Sequence, residues 1–307
     1  MKMLLTFSGS IIVFSLFIAG GVQLSSCSKN TVQHDTTVKT VHDTTIKTVT
    51  DTLKLTDTVY NYTFIDGLVA YYNFDGGNLN DSSGHSNNIV FNNATLTTDR
   101  FGHPNNAYTF DGASSYMRVA NSASLNPSRI TLFAIVKPVG FYSGTCHTSQ
   151  ILGKGITDDV LGYYALRISD PTIASSGCSL ALDTTKEFFN GAYGDDSPVG
   201  SASGAANIGF PYVHANEWYT VAFTYDGTLS KIYVNGALLA TYSKTVTFNA
   251  NTNDVYIGMT PNPLFPYNFH GTIDEIRIYN KAITEDKIHL LNETKTRVVV
   301  PVSGMKF

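Results

Sequence analysis

Charge is scarce in this sequence. Only 14% of its 307 residues are Asp, Glu, Lys or Arg, and the formal net charge is −4. It contains no basic patch, which excludes a nucleic-acid polyanion as partner. Glutamate is rarer still: Glu187, Glu217, Glu275, Glu285 and Glu293 are the whole supply, so paired-glutamate acid/base chemistry has little to draw on. No G-x-S-x-G, H-E-x-x-H or phosphate-binding glycine loop is present. The eight histidines are scattered, and no Cys/His spacing resembles a zinc site. Helix signals are nearly absent as well, the one clear case being residues 285–291 with Thr284 as N-cap.

The abundant residues point to strands and turns: 18 Tyr, 18 Phe and 25 Gly. From Ile65 onward, short half-alternating runs are separated by Gly, Asn and Asp. Residues 68–74, 107–110, 116–119, 130–136, 163–168, 179–182, 218–225, 231–234 and 255–259 read as strands. Asn235-Gly236 between Ile232-Tyr233-Val234 and Ala237-Leu238-Leu239 is the strongest hairpin signal, since both positions accept positive φ. Closely spaced antiparallel strands without alternating helices predict a sandwich or barrel.

Residues 1–27 read as an export signal. Lys2 opens it, an apolar stretch runs from Ile11 to Ile18, and Ala19, Gly20 and Gly21 follow. That stretch is short of the roughly 20 apolar residues of a membrane span. The segment ends Leu24-Ser25-Ser26-Cys27, which resembles the lipobox of bacterial lipoproteins. The resemblance makes Cys27 the lipidated first residue of the mature chain, held to a membrane by acyl groups and not by a helix. The alternative is an incidental cysteine after an ordinary secretory signal. Ser28 does not resemble an inner-membrane retention signal, so the expected location is the bacterial cell envelope at the outer membrane, with the periplasmic or surface face left open. Export leaves Cys146 and Cys178 in an oxidising compartment, where an even count favours a disulfide over two free thiols.

Residues 28–64 read as an extended, Thr-rich stalk. Residues 34–41 recur as 42–49, a period of eight that suits no coiled coil, and abundant Thr disfavours helix. Fully stretched, the stalk spans on the order of 100 Å. Its Asp-Thr steps make Thr36, Thr44, Thr52 and Thr58 resemble bacterial O-glycosylation acceptors, although the repeat alone also generates them. A folded domain at 65–293 and a C-terminal tail at 294–307 complete the chain.

Several ordered motifs in that domain carry a family resemblance. Leu68-Val69-Ala70-Tyr71-Tyr72-Asn73-Phe74-Asp75 followed by Asp81-Ser82-Ser83-Gly84, then Phe110-Asp111-Gly112, then Glu217-Trp218-Tyr219 leading to Asp226-Gly227, and last Gly271-Thr272-Ile273-Asp274-Glu275-Ile276 resemble bacterial laminin-G-like, concanavalin-A-like domains. The resemblance implies an all-β fold: a two-sheet antiparallel jelly-roll sandwich with one short C-terminal helix. It departs from the family at Ala134-Ile135-Val136, where a tryptophan is usual, and in longer segments at 140–150 and 184–215.

The family includes glucanases, whose Glu-x-Asp-x-x-Glu strand this chain lacks. The resemblance also implies one structural Ca²⁺, with Asp274 as its carboxylate and the turn Asp75-Gly76-Gly77 supplying oxygens; local turn hydrogen bonding is the other reading of Asp75. Sugar sites pair planar rings with fixed polar partners, and Tyr142, Phe189, Tyr193, Tyr212 and Tyr267 stand in expected loops. Those rings either bind a glycan or cap the sandwich ends. The expectation is a non-catalytic, envelope-anchored binding module for a glycan. A structural or adhesive protein contacting a cell-surface protein comes second, and a glycoside hydrolase with an unrecognised acid pair third.

Overall fold

The structure, a computed structural model, describes residues 64–155, 163–170, 178, 181–194, 212–243, 245–246 and 249–293, and the backbone alone of residues 2–7, 10–15, 54–57 and 299–302. Cys27, Thr36, Thr44, Thr52 and Thr58 lie outside the described residues. Lys2–Phe7 pairs with Ser10–Ser15. Within the regions read as stalk and tail, Lys54–Asp57 pairs with Val299–Val302.

The alternating runs of the sequence become strands Leu68–Tyr72 (β1), Ile89–Asn92 (β2), Thr95–Thr97 (β3), Ala107–Asp111 (β4), Met117–Val119 (β5), Ile130–Gly140 (β6), Thr148–Lys154 (β7) and Tyr164–Ser169 (β8). Phe188–Tyr193 (β9), Tyr219–Tyr225 (β10), Leu229–Val234 (β11), Ala237–Ser243 (β12), Val255–Ile257 (β13) and His270–Tyr279 (β14) follow, and then helix Glu285–Glu293 (α1). One sheet has six strands in the order β9-β8-β7-β13-β5-β2. The other has eight, ordered β12-β11-β10-β6-β14-β4-β3, with β1 also on β14. Every pairing is antiparallel. This is the jelly-roll sandwich that the motifs imply.

Period-two alternation explains the layers. On β6, Ile130, Leu132, Ala134 and Val136 face the core between the sheets, while Phe133 and Ile135 join a second cluster with Tyr233, Tyr279, Ile288 and Leu291. Helix α1 therefore covers the outer face of the eight-stranded sheet, and β6 is apolar on both sides because both sides are buried. Trp218, expected in the core, is partly buried against this second cluster, with Lys137 Nζ 5.2 Å from its ring. Several hydroxyls of the tyrosine-rich interior find acceptors: Tyr72 donates to Asn87 O (2.5 Å) and Tyr193 to Pro127 O (2.6 Å).

The hairpin at Asn235-Gly236 forms as expected, with φ of 51° and 79°. The strand expected at 179–182 does not: residues 181 and 182 are outside any strand. The following aromatic run, expected as loop, is β9 instead. Gly191 on it lets the ring of Phe223 approach to 2.3 Å from where a Cβ would stand.

Candidate functional site

With α1 over one outer face, the outer face of the six-stranded sheet is the other side of the sandwich on which to look for a site. Alternation decides what points there. Met117 and Val119 face the core, so Arg118 faces out; Val255 and Ile257 do the same for Tyr256. Register then assembles one row across all six strands: Phe91 opposite Arg118, Arg118 opposite Tyr256, Tyr256 opposite Gly153, Gly153 opposite Ala165, and Ala165 opposite Ala192. One end of the row is aromatic and basic, the other built of small residues.

The aromatic end is continuous. The rings of Phe91 and Tyr116 stack at 4.6 Å with 25° between planes, and Tyr116 lies 6.0 Å from Tyr256. Phe91 is 38% exposed, and the two tyrosines are partly exposed. Beside them Arg118 Nη1 donates to Asp254 Oδ2 at 2.6 Å, and Asp254 Oδ1 accepts from Asn121 N. Both side chains are partly exposed, so their remaining lone pair and N–H capacity faces the same strip. Beneath lies buried Lys154, its Nζ donating to Asn121 Oδ1 and Asn253 O, and burial lowers its ammonium to about 8.

A second row is polar and buried. Gln150, Arg167 and Asn190 stand opposite one another on β7, β8 and β9. Gln150 donates to Met259 O (2.8 Å) and Asn190 to Ser169 Oγ (3.0 Å), while the side-chain carbonyl oxygens of both have no hydrogen-bond partner. These are unmet acceptors on a sheet face.

The sheet end next to β8 and β9 holds an acidic corner. Continuing the register of β8 and β9 sets Asp170 opposite Glu187. His147 Nδ1 lies 3.2 Å from Asp170 Oδ2, which also accepts from Asp183 N. Glu187 is 0% exposed, neither carboxyl oxygen has a partner, and burial together with the charges of Asp170 and Asp183 pushes it up to about 9. Two facing carboxyls of which one stays protonated are what acid/base hydrolysis uses. Both are fully buried, so in this conformation no substrate atom reaches them. The disulfide expected from the cysteine count closes this corner: Cys146 is bonded to Cys178, with Cα atoms 4.7 Å apart.

The rings picked from sequence for a glycan site are not assembled into one. Phe189 and Tyr193 are corrected from loop to strand: they are 1% and 4% exposed on β9, and their rings pack on Tyr219 and Tyr225 in the core. Tyr267 is also buried, at 5%, between Tyr142 and Phe265. Tyr142 is half-buried and serves as its neighbour, which leaves Tyr212, 42% exposed, as the one open ring of the five. The face they miss, Phe91-Tyr116-Tyr256, had a local signal. Tyr116 and Tyr256 alternate with apolar neighbours inside strands already legible in the sequence.

The residues read as a calcium site meet a different partner. Asp274 Oδ2 accepts from Arg100 Nη1 at 2.7 Å and from Arg100 N at 3.1 Å. Burial pushes this carboxyl up to about 6, although Arg100 pulls it down. Asp75 Oδ2 accepts from Asn73 Nδ2, and Gly76 N donates to Asn106 Oδ1. Among the described residues no three His, Cys, Asp or Glu side chains are grouped to hold a metal ion.

Comparison with known proteins adds the following. A family model described as the concanavalin A-like lectin/glucanases superfamily matches residues 110–289, more than half of the chain. Mouse pappalysin-1 is 32% identical over 83 residues, 26% of this chain and 5% of that protein, so the chain spans about a twentieth of this curated relative. Among solved structures, the chain resembles the binding domain of Paraclostridial Mosquitocidal Protein 1, with a TM-score of 0.50 and 14% identity over 74% of this chain and 52% of that one. It also resembles domain 4 of AbnA, an extracellular arabinanase from Geobacillus stearothermophilus, in complex with arabinotriose (TM-score 0.49, 21% identity, 73% of this chain and 98% of that one). At such identities the likeness to solved structures is one of fold.

Proposed function

We propose, from the premise that this chain belongs to the concanavalin A-like lectin/glucanase superfamily, that its domain is a non-catalytic module binding a glycan on the outer face of the six-stranded sheet. The observation that carries this reading is the strip Phe91-Tyr116-Tyr256 beside the Arg118–Asp254 pair. Sugar C–H faces stack on rings, and sugar hydroxyls need fixed donors and acceptors within reach. The strip offers both on rigid strands, which holds them in place at low entropic cost on binding. Asp170 and Glu187, a buried acid pair, are closed to solvent, which supports binding without cutting.

A glycan array probed with the mature chain tests this. Tyr256→Ala and Tyr116→Ala are each expected to weaken any hit about tenfold, the loss of one stacked ring, whereas Tyr212→Ala leaves it unchanged. Silence across plant, host and bacterial glycans removes the glycan reading and leaves a protein partner.

We further propose that a lipid on Cys27 anchors the module to the bacterial cell envelope. The support is the compact signal that ends at Cys27, since lipidation converts an exported domain to an anchored one. The intact mass of the native chain is expected to show the acyl groups, and Cys27→Ser to release the protein into the soluble fraction.

A further inference from the structure

The early turn, the Asp99–Gly102 turn and the closing strand bring four carboxylates and one guanidinium into one corner. Asp99, Glu275, Arg100 and His103 are close enough for their charges to bear on Asp75, and Asp274 meets Arg100 directly. A calcium ion here would need six to eight oxygen ligands, several of them carboxylates free to turn towards it. Each of these groups already accepts from a protein donor through at least one oxygen, which counts against a cage of six to eight oxygens. Asp99 accepts from the N–H groups of Phe101 and His103 through one oxygen and meets His103 Nδ1 with the other, at 2.9 Å. Glu275 Oε1 accepts from Arg277 Nε. Gly77 O, the carbonyl of the turn, accepts from Tyr108 Oη at 2.9 Å. Asp274 Oδ2 takes both the guanidinium and the backbone N–H of Arg100.

We infer that Arg100 is the cation of this corner: its guanidinium joins the Asp99–Gly102 turn to the closing strand at Asp274 and Glu275, and the domain folds independently of calcium. Arg100 Nη1 is 2.7 Å from Asp274 Oδ2, and Nη2 is 3.6 Å from Glu275 Oε2. All three side chains are more than nine-tenths buried. The guanidinium also lies over the Phe101 ring at 4.5 Å, which fixes its plane and shields it from water. A planar fork on a tethered side chain holds two neighbouring carboxylates as a metal would. It does so without an ion to lose.

The test is thermal unfolding of the mature chain in calcium and in EDTA, for wild type, Arg100→Lys and Arg100→Met. Wild type and Arg100→Lys are expected to melt at the same temperature in both buffers. Arg100→Met leaves buried carboxylates without their cation, so in EDTA its Tm is expected to fall by roughly 10 °C. Calcium should recover part of that fall, because the freed carboxylates then face a hard cation. A wild-type Tm that drops in EDTA and returns with calcium overturns the inference. So does an Arg100→Met chain that is equally destabilised, or equally unfolded, in both buffers. Wild type decides the calcium question by itself, the methionine variant decides the role of Arg100, and neither depends on the glycan reading.

Discussion

Glu187→Gln is expected to raise the stability of the domain at pH 7 by on the order of 3 kcal/mol and to flatten its pH dependence. The folded state holds this carboxyl at about 9, against an ordinary value of 4.5. Below 4.5 the group is protonated in both states and costs nothing. As pH rises from 4.5 towards 9, the unfolded chain releases the proton while the folded chain keeps it, so stability falls by about 1.4 kcal/mol for each pH unit. Above 9 both states are ionised and the slope ends. Glutamine has the same shape and no proton to lose, and neither oxygen of Glu187 has a partner to forfeit. Urea unfolding between pH 6.5 and 8 isolates the effect, since Asp274 completes its own change near 6 and Lys154 begins near 8. Parallel stability curves for the two proteins would show that Glu187 is hydrated and ionised at neutral pH.

Breaking the Cys146–Cys178 disulfide is expected to cost about 3 to 4 kcal/mol, because the bond closes a segment of 32 residues in the unfolded chain. In a domain of this size that is a fall in Tm of roughly 10 °C. The native state adds its own reason. Cys146, His147 and Cys178 all have positive φ, at 62°, 41° and 53°, a region disfavoured for residues with a Cβ. The bond holds them there, and His147 is the residue that meets Asp170. Calorimetry with and without dithiothreitol should show the fall in wild type and none in a Cys146→Ser, Cys178→Ser double variant. Two free thiols in the untreated, unfolded protein would refute the premise.

The two readings differ in how they were reached. The disulfide was legible because Cys146 and Cys178 are the two cysteines of the folded domain, an even count. Glu187 was not, since one glutamate in a glycine-rich segment carries no local sign of burial. Its state follows from Asp170 and Asp183 lying beside it, and register, not sequence distance, decides that.

The aromatic choices show the same limit. Phe189 and Tyr193 are expected in a loop because they fall in the long segment 184–215, yet Gly191 among them is what lets β9 pack against Phe223 while it pairs with β8. A glycine in a strand can mark close approach of a neighbour as readily as a turn. Tyr116 and Tyr256, by contrast, could have been found from period-two alternation. What alternation could not tell is that they meet, with Phe91, across three strands drawn from distant parts of the chain.

Asp274, which the family resemblance makes a calcium ligand, marks the boundary most clearly. Composition and local periodicity by themselves point to an all-β sandwich or barrel with few charges and one closing helix, and the family resemblance narrows that to the sandwich. Only the tertiary structure decided which rings stay exposed and that Asp274, 174 residues from Arg100, receives a guanidinium. Those contacts are products of strand register, and register is set by how whole faces bury one another.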